Sequence, residues 1–174
     1  MVRGLLLVCL CVAAAACGRV DAPPSAAAPG SALDFTGSWN GVGSRHTIPL
    51  GPARSGSIIA LTGTMLLAGA GRPGVGFRSE VIGLADSAGG FQGRSVWTDE
   101  HGDQVYSELQ GEGTAANNRI AGTIFAGTGR YAGLTGSYEF SWQSVLEGEE
   151  GAVQGRAVDL HGRVSVAGAA EGSR

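Results

Sequence analysis

The chain has no lysine: all 12 of its basic residues are arginine, set against 15 acidic residues for a net charge of −3. Nothing physical forbids lysine on a protein surface, so the absence reads as codon bias towards GC-rich sequence. Acids and arginines are dispersed, and without a basic stripe nucleic acid is excluded as a partner. No apolar run reaches the ~20 residues that a transmembrane helix needs. From residue 35 onward helical periodicity is almost missing, which excludes a helical domain. No Gly-x-Ser-x-Gly elbow occurs, and with serines abundant and only three histidines a Ser-His-Asp set would arise by chance. Cysteine is scarce too, with Cys9, Cys11 and Cys17 the whole complement.

What is present starts with a leader. Arg3 supplies a positive n-region, residues 5–12 an apolar h-region, and Ala13 to Ala16 the small residues before a cleavage point, so residues 1–16 read as a signal peptide. Ala14-Ala15-Ala16-Cys17 resembles a bacterial lipobox, with Ala14 where leucine is usual, and the resemblance implies lipidation at Cys17. An ordinary A-x-A site, giving a secreted protein, is the alternative. Two of the three cysteines lie in the leader, which leaves Cys17 as a lone exported thiol with no internal partner. A thioether to lipid removes that liability and adds a membrane tether. Gly18, not Asp, follows Cys17, a pattern that implies an outer-membrane destination if the source has two membranes. Residues 17–34 continue as a Pro/Ala/Ser tether without apolar periodicity, expected to be flexible or polyproline-like.

The folded part is expected over residues 35–166, followed by a disordered tail over 167–174. Apolar alternation recurs between Gly, Asn, Asp and Pro clusters, which predicts an all-β domain. Phe35 to Trp39 opens it, a loop is expected around Ile48 to Pro52, and a strand over 57–67 has apolar residues on both faces. Val75, Phe77, Val81 and Ala85 form one face of the next strand. Ala116-Asn117-Asn118 is a candidate hairpin tip. Tyr138, Phe140, Trp142 and Leu146 alternate with polar residues, as do Val158, Leu160, Val164 and Val166. About eight strands result, the count of a small closed antiparallel β-barrel, lipocalin-like in shape. A two-sheet sandwich is the alternative.

Two motifs organise the second half. Gly127-Thr128-Gly129-Arg130-Tyr131-Ala132-Gly133-Leu134-Thr135-Gly136 places four glycines about one aromatic, suited to a bend that Tyr131 pins to the core. Asp99-Glu100-His101-Gly102-Asp103 precedes it as an acidic hairpin. The first, through Gly127, Thr128, Gly129, Tyr131, Gly133 and Gly136, resembles the glycine-rich signature of the allene oxide cyclase and dirigent barrel superfamily. The second is similar to the D-x-x-G-D hairpin of bacterial members. The resemblance implies a closed barrel, a homo-oligomer (a trimer in relatives), and either a cyclase or a radical-steering activity, although no cyclase catalytic residue falls on a matching position. Fold of this kind carries shape more than chemistry.

No side-chain constellation specifies catalysis, a cofactor or a metal. The acidic hairpin gathers carboxylates and an imidazole but lacks the glutamate that closes an EF-hand loop. Glu147, Glu149 and Glu150 form a second acidic turn. His46 and His161 are far apart, with His161 on a polar strand face. Arg78, Glu80, Arg94, Tyr106 and Glu108 form a candidate polar set for the lumen if three strands take the opposite phase. The competing expectation is that Val75, Phe77, Val81, Phe91, Trp97, Val105 and Leu109 fill the interior while the charges pair outside, since unpartnered charges are costly to bury. The functional expectation is a lipid-anchored envelope barrel that binds a small apolar molecule or serves as a non-catalytic interaction module. A cyclase or isomerase is the alternative.

Overall fold

The computed structural model describes residues 32–112 and 117–166. Eight antiparallel strands, β1 (Leu33–Gly51), β2 (Arg54–Ala68), β3 (Gly76–Asp86), β4 (Gly90–Thr98), β5 (Gln104–Gly111), β6 (Asn117–Gly127), β7 (Leu134–Glu147) and β8 (Ala152–Val166), close into a barrel in sequential order. Closure is made by β1 against β8, from Leu33 opposite Val164 to Ser44 opposite Ala152. Every strand therefore has two partners and the barrel has no free edge. The sandwich alternative falls, and the expected alternation is the inward and outward alternation of a barrel wall.

Several expected boundaries shift. Leu33 and Asp34, placed in the tether by sequence, are paired in β1, which continues through the supposed loop to Gly51. Asn117 and Asn118 are not a hairpin tip; they open β6 opposite Gln143 and Trp142. Val75 precedes β3 and is exposed. The second apolar face of β2 is not covered: Ile58 points to solvent beside Ile82 and Leu84 of β3, and Leu66, opposite Gly76, is exposed too. The leader, Cys17, most of the tether and the tail lie outside the described residues.

Bulges set the phase of the last strands. Gly37 faces Leu160 and Trp39 faces Ala157, so β8 carries one residue more than its partner there. The irregularity is at Asp159, whose φ is 54°, a left-handed conformation that a non-glycine residue seldom takes. Val153 and Ala157 point inward before the bulge, Leu160 and Val164 after it. A further shift between Ser144 and Leu146 turns Leu146 outward. Of the expected inward positions, Leu146 is accordingly exposed and Val158 is displaced by inward Ala157, while Val166 is exposed as the last residue of β8.

Glycines inside the wall serve as seats for rings. A Cβ on Gly122 would strike the Tyr138 ring, one on Gly155 the Trp142 ring, and one on Gly162 the Phe35 ring and Tyr138 Cβ. Each aromatic can lie flat on the opposite strand only because nothing projects beneath it. The interior is thus built from large rings over bare backbone, which explains how so glycine-rich a chain packs a barrel core.

Candidate functional site

The barrel has two unlike ends. One carries the β2–β3, β4–β5 and β6–β7 connections and the start of β1; the other carries the β1–β2, β3–β4 and β7–β8 turns.

The first end is plugged. The bend expected at the glycine run is a single 3-10 turn, Gly129–Tyr131, with Gly129 and Gly133 at positive φ. Tyr131 is buried there, its ring 5.7 Å from that of Phe77, which is itself 5.9 Å from Trp97. The acidic hairpin docks against this turn. Tyr131 donates its hydroxyl to Asp99 Oδ2 (2.9 Å), Arg130 N donates to Asp103 Oδ2 (3.2 Å), and Gln104 N donates to Thr128 Oγ1 (2.8 Å). Asp99 also accepts from the backbone of His101 and Asp103, with Gly102 (φ 86°) completing the turn. Burial works to raise the Asp99 carboxyl, but these donors and the Arg130 charge outweigh it and hold the group below the usual carboxylate range. Asp99 and Asp103 are thus engaged with donors of their own chain, and among the described residues no three His, Cys, Asp or Glu converge as metal ligands.

Above the plug, the middle layer is polar in an unexpected way. Ser79, Ser95 and Ser107 are buried on three successive strands, and Ser107 Oγ lies 2.7 Å from Tyr138 Oη. Burial pushes the Tyr138 phenol up to about 12, with the Ser107 hydrogen bond opposing part of that rise. The serines leave room for the Trp97 and Tyr138 rings, whose centroids are 4.9 Å apart.

The second end is open. A cavity of about 260 Å³ runs into the barrel, walled by Trp39, Leu61, Val81, Phe91, Leu109, Ile120, Phe140 and Trp142 and rimmed by Arg45, Thr47, Ser55, Ser57, Asn118, Ser144 and Glu147. On β2 its lining descends from Ser55 to Leu61, ~20 Å along the strand at ~3.3 Å per residue and less along the axis of a tilted barrel. Aromatic contact is continuous along one side, with Trp39 5.2 Å from Trp142 and 6.4 Å from Phe140. At the rim, Arg45 Nη1 is 3.5 Å from Glu147 Oε1. These are the titratable groups among the lining residues.

The candidate lumen set is not in the lumen. Arg78, Glu80, Arg94 and Glu108 are exposed on the outer face, where Arg78 pairs with Glu80 at 3.1 Å and Arg94 with Glu108 at 3.0 Å across β4 and β5. Tyr106 lies on the same outer face, stacked on Phe125. The strands keep the phase set by Phe77, Val81, Phe91, Trp97, Val105 and Leu109, all buried, because five polar side chains would have needed partners inside an apolar wall. His161 is likewise external, its Nε2 2.8 Å from Glu139 Oε1. The rim residues Arg45 and Thr47 escaped sequence reasoning. They fall in Ser44-Arg45-His46-Thr47, where neither alternate face is apolar; the signal that could have found them is their even spacing from Trp39.

No family model, curated protein or solved structure matches the chain.

Proposed function

We propose that this protein is a binding barrel of the cell envelope, holding a small, mostly apolar molecule in the open half of its lumen. The observation that carries the reading is the cavity of about 260 Å³ with an apolar, aromatic-rich wall and a polar rim, the construction of small-molecule sites generally. The lower half, filled by rings, acts as the rigid floor. The superfamily resemblance of the Gly127–Gly136 and Asp99–Asp103 motifs is compatible with this and remains part of the proposal, as does lipid anchoring at Cys17. Should the chain be tethered there, β1 enters the barrel at the plugged end, where Leu33 faces Val164 and Gly71 N donates to Asp34 O. The mouth would then face away from the membrane. Binding is favoured over the cyclase alternative because the titratable lining groups, Arg45 and Glu147, sit at the rim and not beside the deep walls.

The test is a fluorescence titration of the purified protein with N-phenylnaphthylamine, a neutral apolar reporter. Saturable binding is expected, and Leu61→Trp, which fills the cavity, should abolish it while leaving the melting temperature no lower. Absence of saturable binding to the wild-type protein overturns the reading. For the anchor, Cys17→Ser should abolish incorporation of radiolabelled palmitate; unchanged labelling would remove Cys17 from the proposal.

A further inference from the structure

The rim of the cavity carries one loosely matched ion pair. Its charged groups are Arg45 and Glu147, and they do not satisfy each other well. The contact is 3.5 Å, at the limit of a hydrogen bond, whereas well-formed pairs of guanidinium and carboxylate are nearer 2.8 Å. Elsewhere on this barrel the same chemistry does better: Arg163 Nε meets Asp34 Oδ1 at 2.7 Å and Arg54 Nε meets Asp86 Oδ1 at 3.0 Å. Glu147 is more than half exposed, while Arg45 is the more enclosed partner, at 30% exposure against 59%. The Arg45 Nε is buried, and among the described residues it has no acceptor. The indole Nε1 of Trp39 in the wall is also buried without an acceptor, as is that of Trp97 in the filled half. Buried donors without partners are uncommon in native structures and costly where they occur.

Arg45 lines the cavity and its side chain is 30% exposed, so its Nη atoms, whose hydrogen bond to Glu147 is 3.5 Å long, are within reach of a ligand. Acceptor oxygens on a ligand would give these Nη atoms a shorter partner than Glu147 does, and a guanidinium distinguishes an oxyanion from a neutral oxygen by charge as well as by geometry. The neighbouring wall is aromatic, and the Trp39, Phe140 and Trp142 rings give a face against which a flat ring system stacks favourably.

We infer that the cavity takes a ring-bearing apolar anion, its rings against the Trp39 and Trp142 wall and its oxyanion on Arg45, with Glu147 as the internal carboxylate that the ligand displaces. This rests on the lumen-binding reading and adds a charge preference to it. The ion pair at the rim then acts as a competitor. A bound oxyanion must take the guanidinium from Glu147, so removing the Glu147 charge strengthens binding, and removing the Arg45 charge removes the preference altogether.

The experiment compares two probes that share one anilinonaphthalene skeleton: N-phenylnaphthylamine, which is neutral, and anilinonaphthalene sulfonate, which carries one oxyanion. With the full chain at low salt, the sulfonate should bind about tenfold more tightly than the neutral probe, the scale of a charge-assisted, partly enclosed contact. Arg45→Gln should bring the sulfonate to within about twofold of the affinity that the same variant shows for the neutral probe. Glu147→Gln should strengthen the sulfonate about threefold relative to the neutral probe measured on the same variant. Equal affinities of the two probes for the wild-type protein, or a sulfonate affinity indifferent to Arg45→Gln, would overturn the anion site while leaving the lumen reading intact. Failure of both probes would overturn the lumen reading itself. If Arg45→Gln loses the neutral probe too, its fold is damaged and Glu147→Gln decides: strengthened sulfonate binding upholds the site, and no change rejects it.

Discussion

Tyr131 Oη donates to Asp99 Oδ2 at 2.9 Å across 32 residues of sequence, and this bond joins the two motifs that stand out in the chain. One motif brings a ring to the barrel axis; the other brings the acceptor its hydroxyl needs once buried. The glycine run and the acidic hairpin are therefore halves of one plug, and they meet because the β4–β5 and β6–β7 connections are neighbours at the same end of the barrel.

Removing either half should be felt unequally. Tyr131→Phe deletes one hydrogen bond and keeps the ring, so a loss of about 1 kcal/mol is expected. Asp99→Ala should cost more, because it strips the acceptor from the Tyr131 hydroxyl and from the backbone N–H groups of His101 and Asp103. Urea denaturation of the two single variants and the double variant measures the coupling. Additive losses would show that the two groups act independently.

The titratable groups place limits on the pH range of the fold. Asp99 is held below the usual carboxylate range by its donors despite its burial, and Asp86 is held down to about 2, first by the Arg54 hydrogen bond and then by Ala88 N. A depressed carboxylate contributes stability that is present above its unfolded pKa of ~3.9 and is lost as pH falls through the folded value. Stability should be level near neutrality and decline below about pH 4. Asp99→Asn should be less stable at pH 7 and show a shallower acid decline. Tyr138 gives the opposite limit. Burial raises its phenol to about 12, so the neutral form is favoured by folding and stability falls as pH rises above the unfolded value of ~10. Tyr138→Phe should blunt that alkaline loss. Thermal melts across pH 2 to 12 would read both.

How far the sequence was legible follows from where its period-two signal is unbroken. Phe77, Val81, Phe91, Trp97, Val105 and Leu109 alternate cleanly and all point inward. Val158 to Val166 alternates just as cleanly, yet the bulge at Asp159 joins Val153 and Ala157 to Leu160 and Val164 on one face. An inserted residue reverses the phase without changing composition, so nothing in the pattern discloses it. Rim residues were hidden for a related reason. At the mouth, the inward face is itself polar, and Arg45, Thr47 and Ser55 fall between the expected strand segments ending at Trp39 and starting at Ser57 until the strands are seen to continue through them.

The outer ion pairs offer a decisive contrast with the lumen. Arg94 and Glu108, 3.0 Å apart, face solvent on β4 and β5. Replacing both by Gln should leave N-phenylnaphthylamine affinity unchanged within about twofold, since exposed cross-strand pairs contribute little and neither residue lines the cavity. A large loss of probe binding in this double variant would mean that the ligand sits outside the barrel.

The ring seats make a prediction about glycine that composition alone would not. A methyl group at Gly122 enters the Tyr138 ring, which cannot move away because it is buried, tilted against Trp97 and held by Ser107. Gly122→Ala should therefore cost about 1–3 kcal/mol through overpacking. Gly76, at the start of β3, would meet only Leu66 Cδ2, at an ordinary 3.7 Å. Gly76→Ala should be neutral or slightly stabilising, since its unfolded chain loses freedom and its folded state gains no clash. Denaturant midpoints for the two variants separate the explanations: equal losses would mean that glycine is needed for backbone freedom throughout the wall, whereas a loss confined to Gly122 ties the requirement to the ring above it.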